Sequence, residues 1–171
     1  KDLSNVLATK KVKFFQLRLK KLSSVKTIKI ALKVKKIVDK FNVKLIINDC
    51  PIIAKKVGAH GCHIGQSDAS VLNTRKIIKN KIIGVTCHGS KVLAKKALLN
   101  KVEYVAFGSF YTSKLKPKAK KANLSVLKWA KKNIKKPIVA IGGINEKNYK
   151  KLINAGANYI AISSFIWDNP A

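Results

Sequence analysis

The feature that most constrains the fold of this chain is a regular alternation of short apolar runs with longer lysine-rich segments. Seven apolar runs follow one another along the sequence, at residues 12–17, 43–47, 61–64, 81–85, 104–107, 137–141 and 159–162. Short continuous runs of this kind are typical of strands buried on both faces, because helices cover a parallel sheet on each side. The pattern therefore predicts a parallel α/β fold.

The segments between these runs place apolar residues at helical spacing. Helices are predicted at residues 25–41, 90–99, 125–133 and 145–155. Successive runs end roughly 17–34 residues apart, which matches repeated strand–helix units. An open doubly wound sheet and a closed (β/α)8 barrel both fit this repeat. No Gly-x-Gly-x-x-Gly follows the first run, which weakens a dinucleotide-binding interpretation.

Two loops near the end of the chain favour the barrel. Gly142 and Gly143 follow the sixth run, and Ser163 and Ser164 follow the seventh. Barrels often bind phosphate in the loops after their last two strands, where glycine exposes backbone N–H groups and serine adds hydroxyl donors. The alternative interpretation of the glycine pair is a tight turn.

Two acidic residues stand just past apolar runs in a chain that has seven acidic residues and a net charge of +30. Asp49 closes the run that begins at residue 43, and Asp68 follows the run at 61–64. Carboxylates at strand ends hold divalent cations such as Mg²⁺, usually together with a phosphate of the substrate. The alternative is that each aspartate neutralises a nearby lysine, an interaction that is common and weak.

The basic composition does not by itself indicate a nucleic-acid partner. Of the 37 basic residues, Arg18 and Arg75 are the two arginines, and the lysines are spread along the whole chain. A reader of nucleic acid would use arginine for bidentate contacts to guanine and phosphate. No apolar run approaches the ~20 residues that span a bilayer, and no leader segment is evident. Three cysteines do not form a disulfide framework, so we expect a reduced, cytoplasmic protein without membrane partners.

The residues at the predicted strand ends form an ordered series of motifs. They are Gln-Leu-Arg-Leu-Lys at 16–20, Ile-Asn-Asp at 47–49, His-Ile-Gly-Gln-Ser-Asp at 63–68, Gly-Val-Thr-Cys-His at 84–88, Tyr-Val-Ala-Phe-Gly at 104–108, Lys-Pro at 116–117, Ile-Gly-Gly-Ile at 141–144 and Ser-Ser at 163–164. The series closely resembles the thiamine-phosphate synthase family from about residue 12 to residue 166. The resemblance implies a single (β/α)8 TIM-barrel domain over residues 1–171. It also implies that the first strand and the last helix are missing from this chain, which we expect to be poorly stable alone.

The resemblance also implies a reaction and its residues. The family joins a hydroxymethylpyrimidine diphosphate to a hydroxyethylthiazole phosphate and releases pyrophosphate, with Mg²⁺ as cofactor. By position, Asp49 and Asp68 match the metal ligands, and Arg18, Lys20 and Lys116 match the cations that act on the pyrophosphate. The implied substrate-binding residues are Gln16, Asn48, Thr86, Ser113, Gly143, Ser163 and Ser164.

Several positions depart from the family pattern. Cys50 replaces an arginine, Leu115 replaces a threonine and Leu19 replaces a glutamate. These departures bear more on the thiazole-phosphate side of the site than on the pyrimidine side.

Other functions remain open at this stage. The related thiazole tautomerase would use His88 as an acid–base residue and would not need the aspartate pair. A barrel that binds phosphorylated ligands without turnover, a nucleic-acid-binding protein and a zinc site among the cysteines and histidines are further alternatives. The expected partners are small phosphorylated substrates; the dispersed lysines disfavour nucleic acid, and a homodimer is left open.

Overall fold

The structure is a computed structural model, and it describes residues 2–112 and 120–168. The chain divides into two compact units, Lys1–Gly84 and Val85–Ala171. Ser113 and Lys116, both predicted site residues, lie outside the described residues.

The first unit alternates helices and parallel strands. Its elements are α1 (Leu3–Ala8), β1 (Phe14–Leu17), α2 (Ser24–Lys40), β2 (Lys44–Asn48), α3 (Pro51–Lys56), β3 (Gly61–Ile64) and α4 (Val71–Ile78). Strand β1 pairs with β2 and β2 with β3, with Leu17 opposite Ile47 and Asn48 opposite His63. Because all three strands run in one direction, their carboxyl ends lie at the same edge of the sheet.

Local sequence signals explain these elements. The Ser23 hydroxyl caps α2 by accepting a hydrogen bond from the Lys26 N–H, and Ser70 caps α4 in the same way. Pro51 begins α3, where its missing N–H costs no helical hydrogen bond. In β2, residues 45–47 are all buried, as expected for a strand covered on both faces.

The second unit repeats the same alternation. Strand β4 (Ile82–His88) crosses the boundary between the units and is followed by α5 (Lys91–Leu99), β5 (Tyr104–Gly108), α6 (Ser125–Asn133), β6 (Ile138–Ile141), α7 (Tyr149–Ala155), β7 (Tyr159–Ala161) and α8 (Ser164–Trp167). Strand β6 pairs in parallel with β5 and with β7. Lys91 and Lys95 of α5 lie 5.8 and 6.0 Å from the centre of a Trp129 ring on α6, which links these two helices.

The predicted strands and helices are found within a few residues of their expected bounds. The clearest difference is α7, which starts at Tyr149 and not at Asn145. The intervening turn is held by the Asn148 side chain, which accepts from the Asn145 N–H and donates to the Gly143 carbonyl. The sequence analysis did not identify α1, α3, α4 and α8, all of which are eight residues or shorter. Within the described ranges, no helix is both long and apolar enough to cross a membrane.

Candidate functional site

Six of the predicted site residues belong to the carboxyl edge of β1, β2 and β3. Gln16 lies in β1, with Arg18 and Lys20 directly after it, and Asn48 and Asp49 stand at the end of β2. Asp68 follows β3. A cleft of about 230 Å³ at this edge is lined by residues that include Arg18, Lys20, Asn48, Asp49, Cys50, Ser24 and Thr27.

The two aspartates lie together. The backbone turns sharply at Asp49, which has a φ of +67° and whose N–H donates to the His63 carbonyl at 2.7 Å. Asp68 is fixed by the Gly65 N–H, which donates to its Oδ2 at 2.7 Å. Burial raises the pKa of Asp49 above its ordinary value, and a side-chain hydrogen bond with Asp68 and its charge raise it further. The two carboxylates therefore repel each other, and a bound cation would relieve this repulsion.

One cation already contacts this pair. The Lys20 Nζ lies 3.6 Å from Asp49 Oδ2, and its charge acts to lower the pKa of Asp49. The pairing of an aspartate with a lysine, considered from the sequence as the alternative to metal binding, therefore occurs at Asp49. It joins two residues that the sequence analysis had placed in one site, so it does not remove Asp49 from that site.

A pair of amides lies beside the carboxylates. Gln16 Nε2 donates to Asn48 Oδ1 at 2.5 Å. With this orientation, Asn48 keeps its own N–H groups as donors and Gln16 keeps its carbonyl oxygen as an acceptor. The pair can thus offer a donor and an acceptor side by side to a ligand.

Arg18 lines the same cleft and is exposed. Among the described residues, no hydrogen bond or ion pair engages its guanidinium. A free guanidinium can bind two oxygens of a phosphate group at once, which a lysine ammonium cannot do.

The cysteines do not form a metal centre in the described part of the chain. Burial raises the pKa of the Cys62 and Cys87 thiols to about 12, which keeps them protonated. Cys50 is partly exposed and lines the cleft. Within residues 2–112 and 120–168, no group of three or more His, Cys, Asp or Glu side chains is arranged to hold a metal ion, and this gives no support to a zinc site.

The other predicted residues that the structure describes lie in the second unit. Thr86 is half-buried in β4. Gly143 follows β6, and Ser163 and Ser164 follow β7; Ile141 of β6 is paired with Ala161 of β7, so both loops leave one edge.

Gly143 is required by packing. It has a φ of +62°, and a Cβ added there would lie 2.3 Å from the Thr112 carbonyl oxygen. Neither the Ser163 nor the Ser164 hydroxyl has a hydrogen-bond partner among the described residues, and both are available to a ligand.

Sequence reasoning missed two residues of the first-unit cleft. Ser24 and Thr27 line it from the first turn of α2. The cap at Ser23 marks where that helix begins. The available signal was the presence of hydroxyls in the first turn of a helix that follows a candidate phosphate-binding motif.

Comparison with solved structures identifies the class of fold. The structure matches a thiamine phosphate pyrophosphorylase from Pyrococcus furiosus with a TM-score of 0.85 and 24% sequence identity, over 96% of this chain and 80% of that one. A thiamine phosphate pyrophosphorylase from Bacteroides thetaiotaomicron matches with a TM-score of 0.66 and 15% identity, over 99% of this chain and 80% of that chain. These likenesses confirm the predicted fold class, an α/β fold of the TIM-barrel type.

Sequence comparison identifies the family. The thiamine monophosphate synthase family model matches residues 1–166. The thiamine-phosphate synthase of Pelagibacter ubique is 54% identical over 168 residues, which are 98% of this chain and 81% of that protein. The thiamine-phosphate synthase of Saccharophagus degradans is 47% identical over 75% of this chain and 61% of its own length, less than two thirds of that relative. The chain belongs to the thiamine monophosphate synthase family, as the resemblance of its motifs predicted.

Proposed function

We propose that this chain catalyses the transfer of a hydroxymethylpyrimidine group from its diphosphate to the nitrogen of a hydroxyethylthiazole phosphate. The products are thiamine phosphate and pyrophosphate, and Mg²⁺ is the cofactor. The observation that carries the proposal is the grouping of an amide pair, a carboxylate pair and two cations at one sheet edge of the first unit. The names of the relatives support the same reaction.

The amide pair fits the pyrimidine half of the donor substrate. A 4-aminopyrimidine carries a ring nitrogen that accepts a hydrogen bond next to an amino group that donates one. Asn48 supplies a donor and Gln16 supplies an acceptor, and the hydrogen bond between them fixes this arrangement. A site in which donors face acceptors rejects ligands that lack the pattern, because polar groups would be left unpaired.

The cations fit the diphosphate half. In the reaction, the bond from the pyrimidine methylene carbon to the diphosphate oxygen breaks, and its electron pair leaves with the pyrophosphate. The thiazole nitrogen supplies the electron pair for the new bond to the same carbon. Negative charge therefore gathers on the leaving group, where Arg18 and Lys20 can stabilise the transition state more than the ground state. No nucleophile from the protein is needed for this step.

The carboxylate pair fits a magnesium ion. Mg²⁺ prefers hard oxygen ligands and is usually held by one or two carboxylates together with waters and substrate phosphates. Asp49 and Asp68 offer such oxygens. Burial, and then the neighbouring Asp68, raise the pKa of Asp49 despite the opposing charge of Lys20. When bound there, the ion would supply positive charge to the diphosphate.

The second-unit loops are the proposed site for the thiazole phosphate. In the described part of the chain, the Ser163 and Ser164 hydroxyls have no hydrogen-bond partner, and both residues follow β7 at the edge formed by β6 and β7. Thr86, Ser113 and Lys116 keep the roles predicted from the motifs.

The test is release of pyrophosphate from the pyrimidine diphosphate in the presence of the thiazole phosphate and Mg²⁺. We expect release to need both substrates and to be lost in Asp68→Asn, which keeps the shape of the side chain but removes its charge. The tautomerase alternative predicts turnover of a thiazole substrate alone, with Asp49→Asn still active. Activity of Asp68→Asn equal to wild type would overturn the metal-dependent synthase.

A further inference from the structure

Lys20 contacts Asp49 in the structure, and the proposed reaction requires the same side chain to contact the diphosphate. Its Nζ is 3.6 Å from Asp49 Oδ2, yet the proposed reaction needs its charge on the diphosphate. Among the described residues, Lys20 is the one cation that forms an ion pair with Asp49. It therefore compensates part of the repulsion between Asp49 and Asp68.

The contact is one that can be exchanged. The Lys20 side chain is 58% exposed and the Asp49 side chain 36% exposed. An exposed lysine–carboxylate pair is weak and is held by a flexible side chain with several alternative positions. A lysine ammonium and a divalent cation are both bound by carboxylate oxygens, and their like charges repel each other at close range.

We propose that Lys20 is an exchangeable counter-ion of the Asp49–Asp68 pair: binding of a divalent cation to the pair displaces the Lys20 ammonium, which then binds the diphosphate. This inference rests on the proposed function, because it assumes that the pair binds Mg²⁺. It adds that cation binding and diphosphate binding assist each other through Lys20. Coupling of this kind is reciprocal, so diphosphate must also strengthen binding of the cation.

The direct test is the affinity of the protein for Mn²⁺, used in place of Mg²⁺ and measured by electron paramagnetic resonance at fixed ionic strength without substrates. In Lys20→Gln the competing ammonium is gone, so Mn²⁺ should bind at least about threefold more tightly than in wild type, a factor within the range of an exposed ion pair. Lys20→Arg keeps the charge and can pair with a carboxylate, so it should bind Mn²⁺ no more tightly than wild type.

A matched control separates displacement from the general effect of removing a positive charge. Lys21 is the next residue, is exposed and forms no ion pair with Asp49 among the described residues. Lys21→Gln should change Mn²⁺ affinity less than about twofold, because charges that are not in contact are screened by salt. Circular dichroism of each variant checks that it is folded.

The second measurement concerns the coupling. Adding inorganic pyrophosphate should tighten Mn²⁺ binding by a larger factor in wild type than in Lys20→Gln. The variant has no ammonium group that can move from Asp49 to the pyrophosphate.

The outcomes separate this inference from the proposed function. If Lys20→Gln binds Mn²⁺ no more tightly than wild type, while Asp68→Asn abolishes binding, the exchange is overturned and the metal site stands. If Lys20→Gln and Lys21→Gln tighten binding equally, the exchange is again overturned. If wild type binds no Mn²⁺ even with pyrophosphate, both the exchange and the metal-dependent function are overturned.

Discussion

Replacing Gln16 by glutamate tests how the amide pair selects its ligand. In the structure, Gln16 Nε2 donates to Asn48 Oδ1 at 2.5 Å. A glutamate carboxylate has the same shape but has no donor at neutral pH, so it can only accept from the Asn48 amide. In Gln16→Glu, we expect the Asn48 side-chain amide to flip so that its NH2 group donates to the new carboxylate. The Asn48 carbonyl oxygen would then face the ligand in place of a donor.

The size of the effect follows from the mismatch. The ring nitrogen of the aminopyrimidine would then meet an oxygen, and at least one polar group would lose its partner. A polar group left unpaired at a partly buried site costs about 1–3 kcal/mol. At 1.4 kcal/mol for each factor of ten, kcat/KM for the pyrimidine diphosphate should fall by about 5- to 150-fold.

The assay is the initial rate of pyrophosphate release with the pyrimidine diphosphate varied and the thiazole phosphate saturating. KM for the thiazole phosphate should stay unchanged, because Gln16 acts on the other substrate. Gln16→Leu separates the two causes, since it removes the fixed orientation of Asn48 without adding charge, and it should also lose activity. A Gln16→Glu enzyme whose kcat/KM stays within twofold of wild type would refute this account of the amide pair.

Three further predictions concern stability, thiol reactivity and the pH response. A Cβ at Gly61 would lie 2.3 Å from the Ile82 carbonyl oxygen, so Gly61→Ala should lower the free energy of unfolding, measured in urea, by about 1–3 kcal/mol. At the control position Gly89 the nearest atoms would be 3.4 Å away, and Gly89→Ala should change the free energy of unfolding little. Equal effects of the two substitutions would contradict the close packing at Gly61. In the folded protein at pH 8, Cys50 should react with a thiol reagent long before Cys62 and Cys87, whose pKa burial raises to about 12; mass spectrometry should find one rapidly labelled site, and fast labelling of Cys62 would contradict its burial. Because the pKa of Asp49 is raised above 3.8 in the folded state, the folded protein holds the proton more tightly, so stability is lost as pH rises from 3.8 through the folded pKa. Asp49→Asn should therefore melt at a higher temperature than wild type at pH 7 and at the same temperature at pH 3. A Tm below that of wild type at pH 7 would mean that ionised Asp49 stabilises the fold, and it would contradict this prediction.

The alternation of strands and helices could be predicted because each element carries its own local signal. Residues 45–47 are continuously apolar and buried, and the Ser23 cap marks the start of α2. The short helices carry weaker signals: α3 has six residues, too few to show a full helical period. The start of α7 was wrong by four residues because the Asn148 side chain holds a turn that no spacing of apolar residues indicates.

The grouping of several predicted residues at one sheet edge could be predicted from the sequence, and their side-chain contacts could not. Asp49 and Asp68 stand at strand ends in the sequence, and parallel pairing of β2 with β3 brings those ends together. The direction of the hydrogen bond from Gln16 to Asn48 depends on side-chain rotation, which the sequence does not specify. The contact of Lys20 with Asp49 likewise required the path of the chain after β1. Mg²⁺, the catalytic roles of Arg18, Lys20 and Lys116, and a homodimer remain predictions.

The most direct test of the proposed reaction follows both products in one time course, with Mg²⁺ and the two phosphorylated precursors. The account predicts one thiamine phosphate formed for each pyrophosphate released, and no release when the thiazole phosphate is left out. Folded protein that forms no thiamine phosphate, or that releases pyrophosphate at the same rate without the thiazole phosphate, would contradict it.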